Sequence, residues 1–351
     1  MNTLRRFAPL LAPALALLIA AVVGDVLILM FGQSPADVYR LLIDGTLGNA
    51  YGIGQVIYKA TTLACTGLAV AVGLRAGLFN IGAEGQLAMG GFAAAAVGLL
   101  LPAGLSGIVA VPLCLAGAAV GGALVGAVPG ALKARFGTHE VIVTIMLNFI
   151  VLALLNWIVS TRLHIPEQLH TPEIHAGAVG RLAGTFTAFH GSAANWTVLV
   201  AVAAAGFAGW YLFRTKDGFE LRAVGLQPAA AESGGVKVGR VWFRAMLLAG
   251  ALAGLGGTNY VLGYKRYYEE GFAAGAGFIG IAVALVGRNH PAGVLLASLL
   301  FAILSQGGLA VNAVVPKQMV DVLTAVVIIS VAVTVPEVQR LLRSAGRGAA
   351  R

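Results

Sequence analysis

The sequence predicts an all-α membrane protein, a polytopic bundle of about ten transmembrane helices that forms a single domain over residues 1–351. Of its 351 residues, 59% are hydrophobic and only 11% are charged, whereas a soluble domain has about 25% charged residues. The apolar residues form long continuous runs, and not the amphipathic stripes of a soluble helical protein. The 48 glycines fit the same class, because glycine is frequent in spanning helices and lets them pack closely.

Ten apolar runs have the length of a span, since a transmembrane helix needs about 20 apolar residues. The third and the eighth are the least regular, because glycines and polar residues interrupt them. In the fourth and the seventh, Gly122 with Gly126 and Gly250 with Gly254 have the GxxxG spacing that predicts close helix packing. The predicted spans are 8–31, 53–73, 78–101, 106–131, 141–159, 194–213, 241–262, 274–287, 292–308 and 319–336.

The distribution of basic residues predicts that both termini lie in the cytoplasm. With ten spans and a cytoplasmic N-terminus, sixteen of the 23 lysines and arginines fall on the cytoplasmic side and seven on the outer side. Cytoplasmic loops are enriched in these residues, which explains the net charge of +9 without a nucleic-acid partner. An odd number of spans would place one basic terminal cluster outside, so ten spans are favoured over nine or eleven.

Arg5 and Arg6 precede the first apolar run, as basic residues do in a signal peptide. The run is longer than the hydrophobic region of a signal peptide, and no convincing cleavage site follows it. A retained first span is therefore favoured over a cleaved leader.

A polar segment interrupted by glycines, Gly77–Gln86, lies inside the third apolar run. Its Asn80, Glu84 and Gln86 are costly in hydrocarbon unless they face a cavity or neighbouring helices. Broken helices with polar residues commonly build transport pathways. Two interpretations stay open: these side chains line a pathway, which we favour, or they cap the broken helix and bond neighbouring backbones.

A second polar segment follows at residues 138–148. Thr144 and Asn148 are four residues apart and share a helix face with Glu140. We expect this face to pack against the broken segment, with Glu140 bonded to a basic neighbour such as Arg135. Structural packing is favoured and a gating role stays open, so Thr144 and Asn148 join the candidate pathway residues.

The predicted inner loop, about 214–240, contains the signals of a short helix. Pro228 suits the first helical turn, the three alanines after it are strong helix formers, and Gly234 can end the helix in a left-handed cap. Such a helix can bind in a groove of a partner and transmit its movement, although an ordinary connecting turn is the alternative. The candidate coupling residues are Gly225, Pro228, Ala229, Ala230, Ala231, Glu232 and Gly234.

The predicted outer loop, about 160–193, contains His164, His170, His175 and His190. Their spacing matches no metal-ligand motif, so a solvated loop near a partner is favoured over a metal site.

Motifs for catalysis are not found in the sequence. Residues 275–280 match GxGxxG, but a dinucleotide site needs a preceding strand and a βαβ unit. The chain has neither a Walker A motif nor an HExxH motif, and its two cysteines, Cys65 and Cys114, lie in apolar runs without CxxC spacing. We therefore expect no enzyme, no cofactor and no metal, and any ATP must be hydrolysed by another subunit.

Three stretches, Phe79–Gln86, Thr138–Asn148 and Gly275–Pro291, together with the inner-loop pattern Arg222–Gly235, carry a family resemblance. The chain resembles permease subunits of ABC importers in the branched-chain amino acid, ribose and nucleoside superfamily. It is most similar to the branch that imports purine or other nucleosides, and the resemblance runs from about residue 50 to 335. The broken segments 77–86 and 275–287 occupy corresponding places in two halves, which indicates an internal repeat.

The resemblance implies a permease in the bacterial cytoplasmic membrane with three partners. These are a second, homologous permease, a cytoplasmic ATPase below the inner loop, and an extracytoplasmic substrate-binding protein. A permease for sugars or branched-chain amino acids is the alternative within the same class. An ion-coupled secondary transporter, with Glu84 as its titratable group, is the alternative from another class, and a membrane-embedded enzyme would need a constellation of residues that the sequence does not show.

Overall fold

Helices build the part of the chain that the computed structural model describes, residues 18–330 without 20, 164, 166–167, 313, 317, 319–320, 323–324 and 327–328. Within it, β pairing is confined to two isolated bridges, so the all-α prediction is confirmed there. The helices are α1 (Ala21–Met30), α2 (Pro35–Thr46), α3 (Ala50–Arg75), α4 (Ala83–Leu100), α5 (Gly107–Phe136), α6 (Glu140–Ile158), α7 (Val198–Arg214), α8 (Lys216–Leu226), α9 (Pro228–Ser233), α10 (Val238–Tyr260), α11 (Ala276–Val286) and α12 (Pro291–Val311). Single π-helical turns, Val159–Leu163 and Val261–Lys265, extend α6 and α10.

The chain divides into two compact units, which are described separately. The first comprises the described residues of Met1–Gly52 and Ile303–Arg351, and its small core is formed by Ile28, Val38, Val311 and Val315. The second, Ile53–Ala302, has a larger core to which α4, α5, α6 and α10 contribute. All candidate site residues lie in the second unit.

Six helices in the described residues are long and apolar enough to cross a membrane, namely α3, α4, α5, α10, α12 and α6 with its π turn. The number rises to eight if α1 with α2, bent by 113°, and α7 with α8, bent by 75°, each form one span. These helices make the chain a multi-pass membrane protein, but the predicted count of ten is not confirmed. The predicted span 319–336 and the first part of 8–31 lie largely outside the described residues.

Helix α11 is shorter than the span predicted over 274–287. It has eleven residues and is about 16 Å long, roughly half of the hydrocarbon thickness of a bilayer. It begins after Gly275, whose φ is +83°, and it is followed by Arg288 and Asn289, whose φ values are also positive. Hydropathy alone could not detect these two interruptions, because the residues between them are apolar.

Close packing between α5 and α10 through glycines confirms the GxxxG prediction. A Cβ added at Gly122 would lie 2.2 Å from the carbonyl oxygen of Gly250, and one added at Gly126 would lie 2.3 Å from that of Met246. Gly254 has the same close approach to Ala118. Larger side chains at these positions would separate the helices, so the glycines allow the backbones to meet.

Candidate functional site

The first glycine break, residues 76–82, separates α3 from α4 and is closed by its own amide side chains. Asn80 Nδ2 donates to Gln86 Oε1 at 2.9 Å, and Gln86 Nε2 donates back to Asn80 Oδ1 at 3.1 Å. The same Asn80 oxygen accepts the N–H of Gly82 at 3.1 Å. Both amides are fully buried; they satisfy each other, and Asn80 also satisfies one backbone N–H of the break.

Helix α6 supports the first break from the side, as the sequence predicts. Asn148 Oδ1 accepts the N–H of Gly85 at 2.9 Å, and Asn148 Nδ2 donates to the carbonyl oxygen of Ile81 at 2.9 Å. Thr144 is fully buried, and its Cβ would lie 3.2 Å from a Cβ added at Gly82. This face of α6 therefore packs against the broken segment.

The basic partner of Glu140 is Lys133 and not Arg135. Lys133 Nζ lies 2.9 Å from Glu140 Oε2 and also 5.4 Å from the centre of the Trp242 ring. Arg135 is two residues later on α5, which turns its side chain by about 200° around the helix, and it lies over the ring of Phe136.

The second glycine break, residues 271–277, covers the turn before α11 and the first two residues of that helix, and Glu84 of α4 binds it. Glu84 Oε1 accepts the N–H of Gly275 at 2.8 Å, and Glu84 Oε2 accepts the N–H of Gly277 at 2.6 Å. A Cβ added at Gly277 would lie 2.3 Å from the backbone nitrogen of Glu84, so the two backbones touch. Thr66 of α3 adds a bond from its hydroxyl to the carbonyl oxygen of Ala276 at 3.1 Å. The structure thus joins the first turn of α4, which follows the first break, to the second break.

The five candidate pathway residues, Asn80, Glu84, Gln86, Thr144 and Asn148, are buried, and none is more than 6% exposed. Each of them has a hydrogen-bond partner within the chain. This geometry matches the capping interpretation of the broken segment. Their assignment to a transport pathway stays a prediction.

The short helix predicted in the inner loop is α9, which begins at Pro228 and ends at Ser233. Gly234 has a φ of −80°, and the left-handed residue is Gly235, with a φ of +84°; the left-handed cap was therefore predicted one residue too early. A second helix, α8, precedes α9 and was not predicted. Thr215 caps it, since its hydroxyl accepts the N–H of Gly218 at 3.0 Å.

The candidate coupling residues differ in exposure. Ala229, Ala230 and Glu232 are exposed, whereas Ala231 is buried. Leu226, at the end of α8, is 85% exposed. We call the segment α8–α9, Lys216–Ser233, the coupling segment.

The coupling segment contacts the first break through glycines. A Cβ added at Gly225 would lie 2.1 Å from the carbonyl oxygen of Arg75, and one added at Gly77 would lie 3.3 Å from the Cα of Gly225. Gly77 has a φ of +74°, which glycine adopts without strain. The end of α8 therefore rests on the residues where α3 stops.

Phe213, at the end of α7, connects the same region to the turn between α11 and α12. The guanidinium groups of Arg75 and Arg222 lie 5.5 and 5.3 Å from the centre of its ring, and the ring of His290 stacks on it at 5.3 Å. Arg75 Nε donates to the carbonyl oxygen of Asn289 at 2.9 Å. These contacts connect α8 with the end of α3 and with the turn between α11 and α12.

A third polar cluster, at the C-terminal end of α10, was not predicted from the sequence. Asn195 Nδ2 donates to Asn259 Oδ1 at 3.0 Å, and Asn259 Nδ2 donates to the hydroxyl of Thr62 at 2.9 Å. Thr197 donates to the same Asn259 oxygen at 3.0 Å. The sequence does contain a signal for this cluster, because Asn259 is a polar residue within an apolar run.

An open depression of about 700 Å³ lies where the predicted outer loop meets the end of α10. Its lining includes Arg181, Lys265 and Arg266 against a single carboxylate, Glu173. In the described residues, no three histidine, cysteine, aspartate or glutamate side chains come together to hold a metal; His164 is outside those residues.

Comparison with known proteins identifies relatives over almost the whole chain. A family model described as the permease component of branched-chain amino acid transport systems matches residues 52–332. The guanosine ABC transporter permease protein NupP of Bacillus subtilis is 39% identical over 93% of this chain and 94% of its own length. The nucleoside ABC transporter permease protein NupB of Lactococcus lactis is 35% identical over 92% and 90%. The glucose ABC transporter permease protein TsgB13 of Haloferax volcanii is 34% identical over 90% and 85%.

The first two organisms each have another, more distant relative. NupQ of Bacillus subtilis and NupC of Lactococcus lactis, also named permease proteins for guanosine and for nucleosides, are 29% and 28% identical to this chain over 71% of it.

Proposed function

Because this chain belongs to the family of permease components of branched-chain amino acid transport systems, we propose that it is the membrane subunit through which an ABC importer takes up nucleosides. The observation that carries the substrate class is the similarity to NupP and NupB, which extends over more than nine tenths of this chain. A sugar is the second candidate substrate, because TsgB13 has nearly the same identity as NupB.

The assembly that we propose has this chain paired with a second, homologous permease. The occurrence of two related permeases in each of two bacteria supports the pair. The remaining partners are a cytoplasmic ATPase, which binds and hydrolyses the ATP, and an extracytoplasmic binding protein. The chain itself needs no cofactor in this proposal.

The orientation that we propose places the coupling segment in the cytoplasm and the outer loop outside, with both termini inside and ten spans in the bacterial inner membrane. Sixteen of 23 basic residues then lie on the cytoplasmic side. The cation-rich depression near Arg181 and Lys265 lies on the side where the binding protein docks. The exposed side chains of Leu226 and Ala230 face the ATPase.

Movement of the ATPase reaches the membrane region through the coupling segment in this proposal. Gly225 lies against Arg75 and Gly77, so a displacement of α8 acts on the first break without an intervening flexible loop. Alternation between inward-facing and outward-facing states requires two packings that differ by only a few kcal/mol.

The transport test uses the complete complex in proteoliposomes, with the binding protein outside and ATP inside. We expect ATP-dependent accumulation of labelled guanosine or adenosine that excess unlabelled glucose does not reduce. Competition by glucose would instead favour a sugar importer. Accumulation by this chain alone, driven by a proton or sodium gradient, would contradict the ABC mechanism.

The coupling test uses Ala230→Trp. Because Ala230 is exposed, the larger side chain should leave the fold intact and block the ATPase contact, with uptake reduced by about tenfold or more, the effect of removing an interface contact worth about 1.4 kcal/mol. Ala103→Trp, an exposed position in the turn between α4 and α5, is the matched control and should transport normally. Ala231 is unsuitable, because it is buried. Normal uptake by Ala230→Trp would contradict the proposal that α9 couples the permease to the ATPase.

A further inference from the structure

Helix α11 cannot cap its own N-terminus. Its N-cap is Gly275, which has no side chain that could accept the first-turn N–H groups, and such groups need a partner when they are buried. Serine, threonine, asparagine or aspartate usually provides that acceptor from the N-cap position. In this chain, the acceptor is a carboxylate from a different helix, since both oxygens of Glu84 bind N–H groups of the second break.

Glu84 also lies at the N-terminus of its own helix. It is in the first turn of α4, whose N-cap, Gly82, likewise has no capping side chain. The positive ends of two helix dipoles therefore meet at one carboxylate. Glu84 is 6% exposed and forms no salt bridge in the part of the chain that the structure describes. Backbone N–H groups and dipoles, and not a cation, compensate the cost of burying this charge.

The glycines around the carboxylate are required by its position. At Gly277, a Cβ would lie 2.3 Å from the backbone nitrogen of Glu84 and 2.5 Å from its Cα, so a side chain there would push α11 away from the carboxylate. Thr66 holds the other side of the same turn through the carbonyl oxygen of Ala276. Bonds from α4 and from α3 therefore meet at the turn that begins α11.

We propose that Glu84 is a positioning residue whose carboxylate serves as an internal anion shared by the N-termini of α4 and α11, and that it holds the two glycine breaks together as one unit. A corollary is that removal of the side chain creates a vacant site for a small carboxylate such as formate. The inference about the fold is independent of the substrate; its consequence for transport rests on the proposed function.

Hydrogen exchange of the full chain in nanodiscs tests the inference without a transport assay. In Glu84→Gln, the amide can accept only one of the two N–H groups and turns a donor toward the other. Amide exchange within residues 275–280 should become faster by about tenfold or more, because the substitution removes a charge-assisted hydrogen bond that protects this turn. Asp44→Asn, which removes an exposed carboxylate of α2, is the matched control and should leave this exchange unchanged.

The rescue arm uses Glu84→Ala with sodium formate or sodium chloride at equal concentration. Formate should restore slow exchange in residues 275–280 more than chloride does, because two oxygens can bind both N–H groups at once. Unchanged exchange in Glu84→Gln, or equal effects of the two salts, would overturn the proposal. If Glu84→Ala does not fold, the isosteric Glu84→Gln still decides the question.

The transport arm separates this inference from the proposed function. In the reconstituted complex, Glu84→Gln should lose at least about tenfold in uptake, as expected when a contact of about 1.4 kcal/mol is lost. Absence of nucleoside uptake by the wild-type complex would refute the proposed function and leave the exchange data to decide the role of Glu84. Wild-type uptake together with full uptake by Glu84→Gln would refute the positioning role alone.

Discussion

The two glycine breaks of this bundle are held in different ways. The first, at residues 76–82, has its own polar side chains in the Asn80–Gln86 pair, and it receives Asn148 from α6. The second, before α11, contributes only backbone groups and depends on Glu84 and Thr66 from other helices. The two glycine-rich segments therefore differ. We call the first break self-supporting, because side chains within or next to it bond one another, and the second dependent, because its bonding side chains come from other helices.

This difference indicates where substitutions should destabilise the structure most. At the first break, Asn80 and Asn148 bond different backbone groups and Gln86 bonds Asn80, so the loss of one side chain leaves bonds of the others in place. At the second break, a single carboxylate satisfies two N–H groups, and the backbones touch at Gly277. Substitutions at the second break should therefore cost more than comparable substitutions at the first.

The largest effect is expected from Gly277→Ala. The added Cβ would lie 2.3 Å from a backbone atom of α4, so the two helices must separate. Overpacking costs about 1–3 kcal/mol and occasionally more, and a clash with backbone belongs at the upper end of that range. Stability is measured by SDS titration in mixed micelles. The reporter is the reaction of a thiol dye with Cys65 and Cys114, which are both buried in the fold.

The matched control for that substitution is Gly206→Ala in α7. No atom lies within 4 Å of a Cβ added there, and alanine favours a helix over glycine by roughly 1 kcal/mol. This variant should be as stable as the wild type or slightly more stable. An equal loss of stability in both variants would show that the close contact at Gly277 does not cause the loss.

Local signals in the sequence were sufficient to predict some of these features. Pro228 and the alanines after it predicted α9, and the GxxxG spacings predicted close helix contacts that occur between α5 and α10. The requirement that Asn80 and Gln86 be paired or face a cavity also followed from their cost in hydrocarbon. In each case, the residues that decide the structure are close together in the chain or have a periodic spacing.

Contacts between distant residues could not be predicted in this way. Glu84 and Gly275 are 191 residues apart, and no local pattern indicates that a carboxylate of one helix caps another. The contact between Gly225 and Gly77 depends equally on the tertiary packing of α8. The length of α11 was overestimated because its hydrophobic residues resemble a span, whereas the backbone turns at both of its ends decide where it stops.

An intermediate effect is expected from Gln86→Met at the first break. The substitution keeps the size of the side chain and removes the acceptor of Asn80 Nδ2, which leaves a buried amide donor unpaired at a cost of about 1–3 kcal/mol. Asn80 retains its bond from Gly82, so the break should not open. The SDS titration measures the loss.

The control for this second prediction is a double-mutant cycle with Asn80→Ala. When the partner is already absent, removal of Gln86 should cost less than it does alone, by about 0.5–3 kcal/mol. Strictly additive losses would mean that the two amides do not act as a pair and that the first break is not self-supporting.

The smallest effect is expected from Thr66→Val, which removes the bond from α3 to the carbonyl oxygen of Ala276. The hydroxyl has a single proton, and two carbonyl oxygens of its own helix, at 3.3 Å each, compete with Ala276 for it, so the net loss should be only about 0.5–1.5 kcal/mol. Thr61→Val on the same helix is the matched control, because Thr61 is similarly buried and, among the described residues, its hydroxyl bonds within the helix. The difference between the two variants isolates the contribution of the contact across the second break. If Thr66→Val costs as much as Gly277→Ala, then Glu84 shares the support of α11 with Thr66, and the second break is less dependent on one carboxylate than its hydrogen bonds indicate.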